Sequence, residues 1–177
     1  DKKFFFIIDE INRGNLSQIF GELLMLIEKD YRGKTATLAY NGMPFSVPEN
    51  LYIIGMMNTA DRSLAMIDYA LRRRFSFFEL EPGFESKGFS DYKAAMDNET
   101  FNELISKVIE LNGAIRRDKS LGKGFCIGHS YFCGKTKDTC TDNWMQSVVD
   151  YDILPMLSEY WFDDDSKIQH WDNILHG

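Results

Sequence analysis

Two patterns of hydrophobic positions divide the chain: unbroken apolar runs as far as Leu80, then apolar residues at helical spacing past Pro82. The first run, Phe4-Phe5-Phe6-Ile7-Ile8, stops at the adjacent acids Asp9-Glu10. A run without alternation predicts a strand buried on both faces, as in a parallel α/β sheet. Leu16, Ile19, Phe20, Leu23, Leu24 and Ile27 then recur at three- and four-residue steps. They predict one amphipathic helix over 15–29, with Asn15 as N-cap and Lys29 near the C-terminal end, where the helix dipole favours a cation. Lys34 to Pro48 reads as a β-hairpin turning at Asn41-Gly42, a pair suited to a type I′ turn. Leu51 to Met57 is a second buried strand, followed by the polar cluster Asn58-Thr59-Ala60-Asp61-Arg62-Ser63. Ala65 to Leu71 predicts a short helix ending in Arg72-Arg73-Arg74, and Phe75 to Leu80 a third strand. The order strand, helix, hairpin, strand, helix, strand is that of an α/β fold with crossover helices between parallel strands.

Past Glu81-Pro82-Gly83 the strands stop. Phe101, Leu104, Ile105, Val108, Ile109 and Leu111 predict a helix over 98–117, with Thr100 and Glu103 as a capping box. A second apolar helix is expected from Asp142 towards Trp161, kinked or divided at Pro155. A short one is expected over 167–175. Tyr151, Tyr160, Trp161, Phe162 and Trp171 fall at spacings of a core or a packing interface, and 84–90 and 135–141 read as flexible connections. The expected organisation is an α/β part over 1–82 and an all-helical part over 83–177. Neither an internal repeat nor a low-complexity segment interrupts it.

Charge narrows the classes of partner. Lys plus Arg number 20 and Asp plus Glu 27, a net charge of −7. Such a chain is a poor general sink for phosphate backbones, so any nucleic-acid contact is expected to be local or to lie elsewhere in the molecule. No apolar run reaches the roughly 18 residues that cross a bilayer, and no basic leader precedes the apolar start, so no membrane is expected. Three cysteines do not make a disulfide framework, and a reducing cytoplasm is the expected home. Cys126, His129, Cys133 and Cys140 match no zinc-finger or ribbon spacing, and reduced thiols are the favoured reading. His129, in Gly-His-Ser-Tyr-Phe, is read first as a turn residue with a structural hydrogen bond, and second as a general base or a substitute sensor beside a nucleotide.

The candidate chemistry lies where the apolar runs end. Ligands of parallel sheets bind at the carboxyl ends of the strands, where Asp9 and Glu10 emerge. A hydrophobic strand ending in Asp-Glu is the Walker B arrangement. Its aspartate holds Mg²⁺ through the ion's water shell, and its glutamate polarises the water that attacks a γ-phosphate. If the strand at 51–57 runs parallel beside the first, Asn58 and Asp61 reach the same edge.

Phe-Phe-Ile-Ile-Asp-Glu-Ile-Asn-Arg-Gly-Asn, Met-Asn-Thr-Ala-Asp-Arg-Ser-Leu and Asp-Tyr-Ala-Leu-Arg-Arg-Arg-Phe together resemble the AAA+ GTPase subunit of methylcytosine-specific restriction systems, the McrB family. The octet Met57–Leu64 is the most specific of the three. The likeness is strongest over 3–82 and continues through Gly124 to Phe132, and the helical part resembles an AAA+ lid. The resemblance implies that Asp9 is the Mg²⁺-associated Walker B aspartate, Glu10 the catalytic glutamate and Asn58 sensor 1, with Asp61 supporting the nucleotide site. It places arginine fingers in Arg72-Arg73-Arg74, with Arg73 and Arg74 favoured, reaching a nucleotide on the neighbouring subunit. It further implies GTP, alternatively ATP, as substrate, identical subunits in a hexameric ring, an N-terminal DNA-reading domain and a partner nuclease.

One departure limits the expectation. No Gly-x-x-x-x-Gly-Lys-Ser/Thr occurs in the 177 residues, and Gly122-Lys123-Gly124 is too short for a phosphate cradle. The chain therefore reads as the portion of a longer AAA+ protein from Walker B onward, inactive in hydrolysis by itself. The alternatives are an ATPase of the MoxR or dynein-related type that remodels protein, and a non-catalytic interaction scaffold. Retention of Asp9, Glu10, Asn58 and the arginines together argues against the scaffold.

Overall fold

The structure is a computed structural model that describes residues 2–21, 23–60 and 72–177. The chain forms two compact units, residues 1–79 and 80–177.

In the first unit β1 (Phe4–Ile8) and β4 (Leu51–Gly55) pair in parallel, with Phe4 opposite Leu51 and Ile8 opposite Gly55. Between them come α1 (Leu16–Phe20), α2 (Leu23–Leu26) and a hairpin of β2 (Thr35–Thr37) and β3 (Pro44–Ser46). The single helix expected over 15–29 is thus two short ones. Asn15 does cap the first, its Oδ1 accepting from the Gln18 N–H at 3.1 Å. The break falls at Gly21, whose φ of +45° is left-handed backbone that a helix cannot continue through. The hairpin turn also differs from type I′, because Gly42 has a positive φ (+69°) and Asn41 does not. Residues 38–43 instead close a longer loop in which Asn41 Oδ1 accepts from the Met43 N–H at 3.0 Å, an Asx turn.

Leu51 and Ile53 face a small core of Ile11, Leu24, Leu26, Ile27 and Val47. Arg32 fastens the layers, donating to the carbonyls of Ile27 at 3.0 Å and Leu51 at 2.8 Å. On the opposite face Phe5 stacks on its register partner Tyr52 at 5.4 Å. The expectation of strands buried on both faces fails: Phe4, Phe5, Phe6 and Ile7 are each more than half exposed. Among the described residues the sheet is a single parallel pair, and of β1 only Ile8 packs against the small core. The strand expected over 75–80 is likewise not formed, because the extended run has no ladder partner among the described residues. Phe75 joins the small core while Phe77, Phe78 and Leu80 stay exposed. The helix expected over 65–71 lies outside the described residues.

The second unit is all helical and is built on α4 (Glu99–Arg117). Phe101, Ile105, Val108, Leu111 and Ile115 form one fully buried stripe at three- and four-residue steps. Removing a large buried side chain such as Phe101 costs about 3–5 kcal/mol. Asn98, and not the Thr100–Glu103 pair, caps this helix, accepting from the Phe101 N–H at 3.0 Å. Asn112 is buried within the stripe's helix and spends its whole amide on Ile127, accepting from its N–H at 2.6 Å and donating to its carbonyl at 2.9 Å. That pairing satisfies a buried polar group and pins the segment after α4.

Residues 84–90, expected to be a flexible connection, hold the cap and first turn of α3 (Lys87–Met96). Ser86 Oγ accepts from the Phe89 N–H at 3.2 Å, and Phe84 and Phe89 are buried. α5 (Asp142–Val148) and α6 (Leu154–Tyr160) are joined by a π-helical turn, Val149–Ile153. Pro155 has no N–H and crowds the carbonyl of residue 151, and the wider turn absorbs both effects without ending the helical path. The added residue also shifts the phase of the buried face. Ile153 and Leu157 stay inside, whereas Tyr151 and, past the end of α6, Phe162 are exposed, against the expectation that both pack. α7 (Asp165–His176) closes the unit, burying Trp171 and Leu175.

Candidate active site

Parallel pairing sends both strands out at one edge. The ladder runs slightly past the strands, with the Met56 N–H donating to the Ile8 carbonyl at 2.8 Å and the Ile11 N–H to the Met56 carbonyl at 2.9 Å. Asp9-Glu10 and Asn58 thus leave the sheet side by side, and all three are exposed.

The turn after β1 is held in an uncommon conformation. Glu10 has φ 49° and ψ 44°, left-handed for a residue with a side chain, and opens a short 3-10 turn over Ile11–Arg13. Its N–H donates to Asp9 Oδ1 at 2.9 Å, and its carboxylate pairs with Arg13 at 2.6 Å. Backbone strain of this kind persists where surrounding contacts over-determine it. Here the contact is Ile11, which is buried against Gly55: a Cβ at position 55 would stand 2.6 Å from Ile11 Cδ1.

Asn12 joins the two strand ends. It is only 8% exposed, and its Nδ2 donates to the Asn58 carbonyl at 3.4 Å. The Asn58 side chain accepts from the Ala60 N–H at 3.0 Å, which orders the turn leaving β4. Sequence reasoning passed over Asn12 because it follows the acid pair as one more polar residue.

Of the three arginines, Arg74 is 11% exposed at its side chain and pairs with Glu28 at 2.6 Å, while Arg73 is exposed. Asp61 lies outside the described residues. The structure therefore brings Asp9, Glu10 and Asn58 together and holds Arg74 on Glu28.

Magnesium fits the donor set. Asp9 is an exposed carboxylate oxygen donor beside a second carboxylate. Mg²⁺ suits such a place, since it keeps several waters and takes one or two carboxylates together with substrate phosphates.

In the second unit His129 Nδ1 accepts from the Gly83 N–H at 3.0 Å, and the three cysteines are free thiols. Asp118, at the end of α4, accepts from Ser120 Oγ at 2.6 Å, Trp161 Nε1 at 2.9 Å and Lys167 Nζ at 3.2 Å. The Ser120 and Trp161 hydrogen bonds, with help from Lys167, hold its carboxyl well below the usual range.

A parallel strand pair with an acid pair and an asparagine at its carboxyl edge, in a chain that ends in a helical unit, defines an AAA-type α/β core with a lid. Residues 1–75 match the family described as AAA domain (dynein-related subfamily). Residues 103–169 match the family described as McrB, alpha-helical lid domain. The chain is similar along its whole length to the Type IV methyl-directed restriction enzyme EcoKMcrB subunit of Escherichia coli (strain K12), at 52% identity over 187 residues and 41% of that relative. It is also similar to the Type II restriction enzyme BsuMI component YdiS of Bacillus subtilis (strain 168), at 30% identity over 145 residues, covering 69% of the chain and 42% of the relative. The chain thus spans about two fifths of the length of these curated relatives. It belongs to the McrB family of AAA+ proteins.

Proposed function

We propose that the chain is the Walker B-to-lid portion of a nucleoside triphosphatase subunit that powers a modification-dependent DNA restriction system. The observation that carries this reading is the convergence of Asp9, Glu10 and Asn58 on one strand edge, tied by Asn12. The relatives support the setting, since one is named a methyl-directed restriction enzyme subunit and the other a restriction enzyme component.

Each residue has a role that its position allows. Glu10, exposed beyond the strand end, orients and polarises the attacking water, and Asn58 fixes that water against the γ-phosphate. Asp9 takes the water shell of Mg²⁺, and Asp61 supports the same nucleotide site. When bound, Mg²⁺ supplies charge that offsets the phosphates. Arg73 reaches the nucleotide of a neighbouring subunit, with Arg74, braced on Glu28, beside it. A finger of this kind is worth roughly 10³ to 10⁵ in rate. The phosphate cradle comes from the part of the protein outside this chain, so the 177 residues alone bind nucleotide weakly and do not turn it over.

The substrate in this reading is GTP, the assembly is a ring of identical subunits, expected as a hexamer, and the output is DNA translocation and cleavage by a partner nuclease. DNA is read by an N-terminal domain outside this chain. The unit over 1–79 serves as core and the unit over 80–177 as lid, a boundary three residues earlier than the sequence suggests. Free thiols suit a cytoplasmic setting, and among the described residues no helix is long and apolar enough to cross a membrane. The match of 1–75 to the dynein-related AAA domain favours one second reading, an ATPase that remodels protein. Calorimetric titration of the complete protein separates the two. Tighter binding of GTP than ATP in the presence of Mg²⁺ supports the restriction reading, and the reverse order supports the remodelling one.

A further inference from the structure

Of the two arginines favoured as fingers, the structure turns one inward. Arg74 is 11% exposed at its side chain and meets Glu28 at 2.6 Å, and the Glu28 side chain is 35% exposed. Arg73, the residue before it in the same turn, is exposed. Phe75, the residue after it, packs against the small core of Ile11, Leu24, Leu26, Ile27 and Val47. Two successive side chains thus anchor the turn, one by charge and one by apolar contact, and Arg73 is the exposed position beside them.

The surface that receives these anchors is itself fixed. Just past α2, the Glu28 N–H donates to the Met25 carbonyl at 3.2 Å, and its carbonyl accepts from the Tyr31 N–H at 3.1 Å. Leu26 and Ile27, immediately before it, are buried, and Arg32 Nε donates to the Ile27 carbonyl at 3.0 Å. A carboxylate on so constrained a backbone can set the place of its partner. A sheltered pair is also less easily broken than a surface one, because removing one member leaves the other charge poorly solvated. Ile11, which follows Glu10, belongs to the same core that Phe75 joins. One core therefore holds both the turn that carries Glu10 and the turn that carries Arg73.

We propose that Glu28 is a positioning residue for hydrolysis in the neighbouring subunit. Through Arg74 it fixes the turn from which Arg73 reaches that subunit's nucleotide, so Arg74 serves as anchor and Arg73 as finger. This role rests on the triphosphatase reading above.

The test is phosphate release by the complete protein with Mg²⁺ and GTP, with ATP run alongside. Glu28→Ala should lower kcat between about tenfold and a hundredfold at a KM within about twofold of wild type, because a displaced finger is missed in the transition state. The deciding readout is mixing. Glu28→Ala subunits combined with Glu10→Gln subunits should turn over faster than either ring alone. Each Glu28→Ala subunit keeps its own glutamate and takes an intact finger from a Glu10→Gln neighbour. A Glu28 that only stabilised its own subunit would impair its own site, so an absence of recovery on mixing overturns the proposal. Glu28→Gln, which keeps the size and removes the charge, repeats the mixing if Glu28→Ala folds poorly. Unchanged kcat in both variants also overturns it. Glu28→Met with Arg74→Met replaces the pair by apolar side chains that can keep the packing, and should turn over faster than Glu28→Ala. Turnover there as low as in Arg73→Ala would make Arg74 itself the finger and overturn the assignment of anchor. A wild type that hydrolyses neither nucleotide refutes the triphosphatase reading, and the positioning role falls with it.

Discussion

Asn12 reaches across from the turn after β1 to donate to the carbonyl of Asn58, a residue 46 positions later at the end of β4. Asn12 is buried, and its Oδ1 has no hydrogen-bond partner among the described residues. Asn12→Ala should cost about 1–3 kcal/mol of stability. It should also lower kcat for nucleotide hydrolysis by about tenfold with a smaller change in KM, because Glu10 and Asn58 lose their common brace. Chemical denaturation and steady-state kinetics of the complete protein check the two effects separately.

Gly55 and Ile11 make the second constraint on that edge. A methyl at residue 55 would meet Ile11 Cδ1 at 2.6 Å and Cγ2 at 3.2 Å. Gly55→Ala should destabilise the first unit by about 1–3 kcal/mol through overpacking. The two sites are in contact, so Ile11→Ala on the Gly55→Ala background should cost less than Ile11→Ala alone. A double-mutant cycle from denaturation midpoints measures the difference. Additive costs would show that the two side chains do not compete for the space.

These two contacts also mark what the sequence conveys and what it leaves out. The parallel pair, its polar edge and the stripe of α4 follow from apolar periodicity, which depends on neighbours a few residues away. Asn12–Asn58 and Ile11–Gly55 join positions more than forty residues apart, and no local pattern distinguishes Asn12 from the polar residues around it. The strand expected over 75–80 failed for the same reason in reverse, since an extended apolar run becomes a strand only when another edge pairs with it. Helix α3 was missed because Gly88 and scattered charges obscure Phe89, Tyr92 and Met96, although Ser86 three residues before Phe89 is a readable cap. The candidate site residues rest on motif resemblance; the Glu28 partner of Arg74 has no such signal, because a salt bridge across a fold leaves no spacing rule.

The helical unit should show stability limits on both sides of neutrality. Asp118 is 14% exposed at its side chain, and hydrogen bonds from Ser120 and Trp161, with Lys167, lower its pKa. A carboxyl with a depressed folded value adds stability above its unfolded pKa of about 3.9, and that contribution is lost as pH falls towards the folded value. His176 lies between Asp172 at 2.8 Å and Asp150 at 2.9 Å. Burial disfavours its charged form, but its hydrogen bonds to the Asp172 carbonyl and carboxylate and to Asp150 outweigh that and raise its pKa. A raised folded value adds stability below the unfolded pKa of about 6.5 and loses it as pH climbs through the folded one. Asp118→Asn should therefore remove the loss on the acid side, and His176→Gln the loss on the alkaline side. Thermal unfolding of wild type and both variants across pH 3–9 reads these slopes.

Arg73 is exposed while Arg74 is held on Glu28, so the two should separate on substitution. Arg73→Ala should abolish hydrolysis in a uniform ring and leave nucleotide binding and stability nearly unchanged. Mixing Arg73→Ala with Glu10→Gln subunits should restore turnover at interfaces that pair an intact glutamate with an intact arginine. Mixed rings without activity would remove Arg73 as a finger acting across the interface. Arg74→Ala should in addition lower stability, by leaving the partly buried Glu28 without its partner.

The central claim is that the strand edge carrying Asp9, Glu10 and Asn58 hydrolyses a nucleoside triphosphate. The most direct measurement is phosphate release by the complete protein with GTP and with ATP at equal Mg²⁺, for wild type and Glu10→Gln, alongside nucleotide binding by both. The account predicts turnover with a preference for GTP in wild type, and at least a hundredfold loss of turnover with binding retained in Glu10→Gln. Unchanged turnover in Glu10→Gln would contradict it.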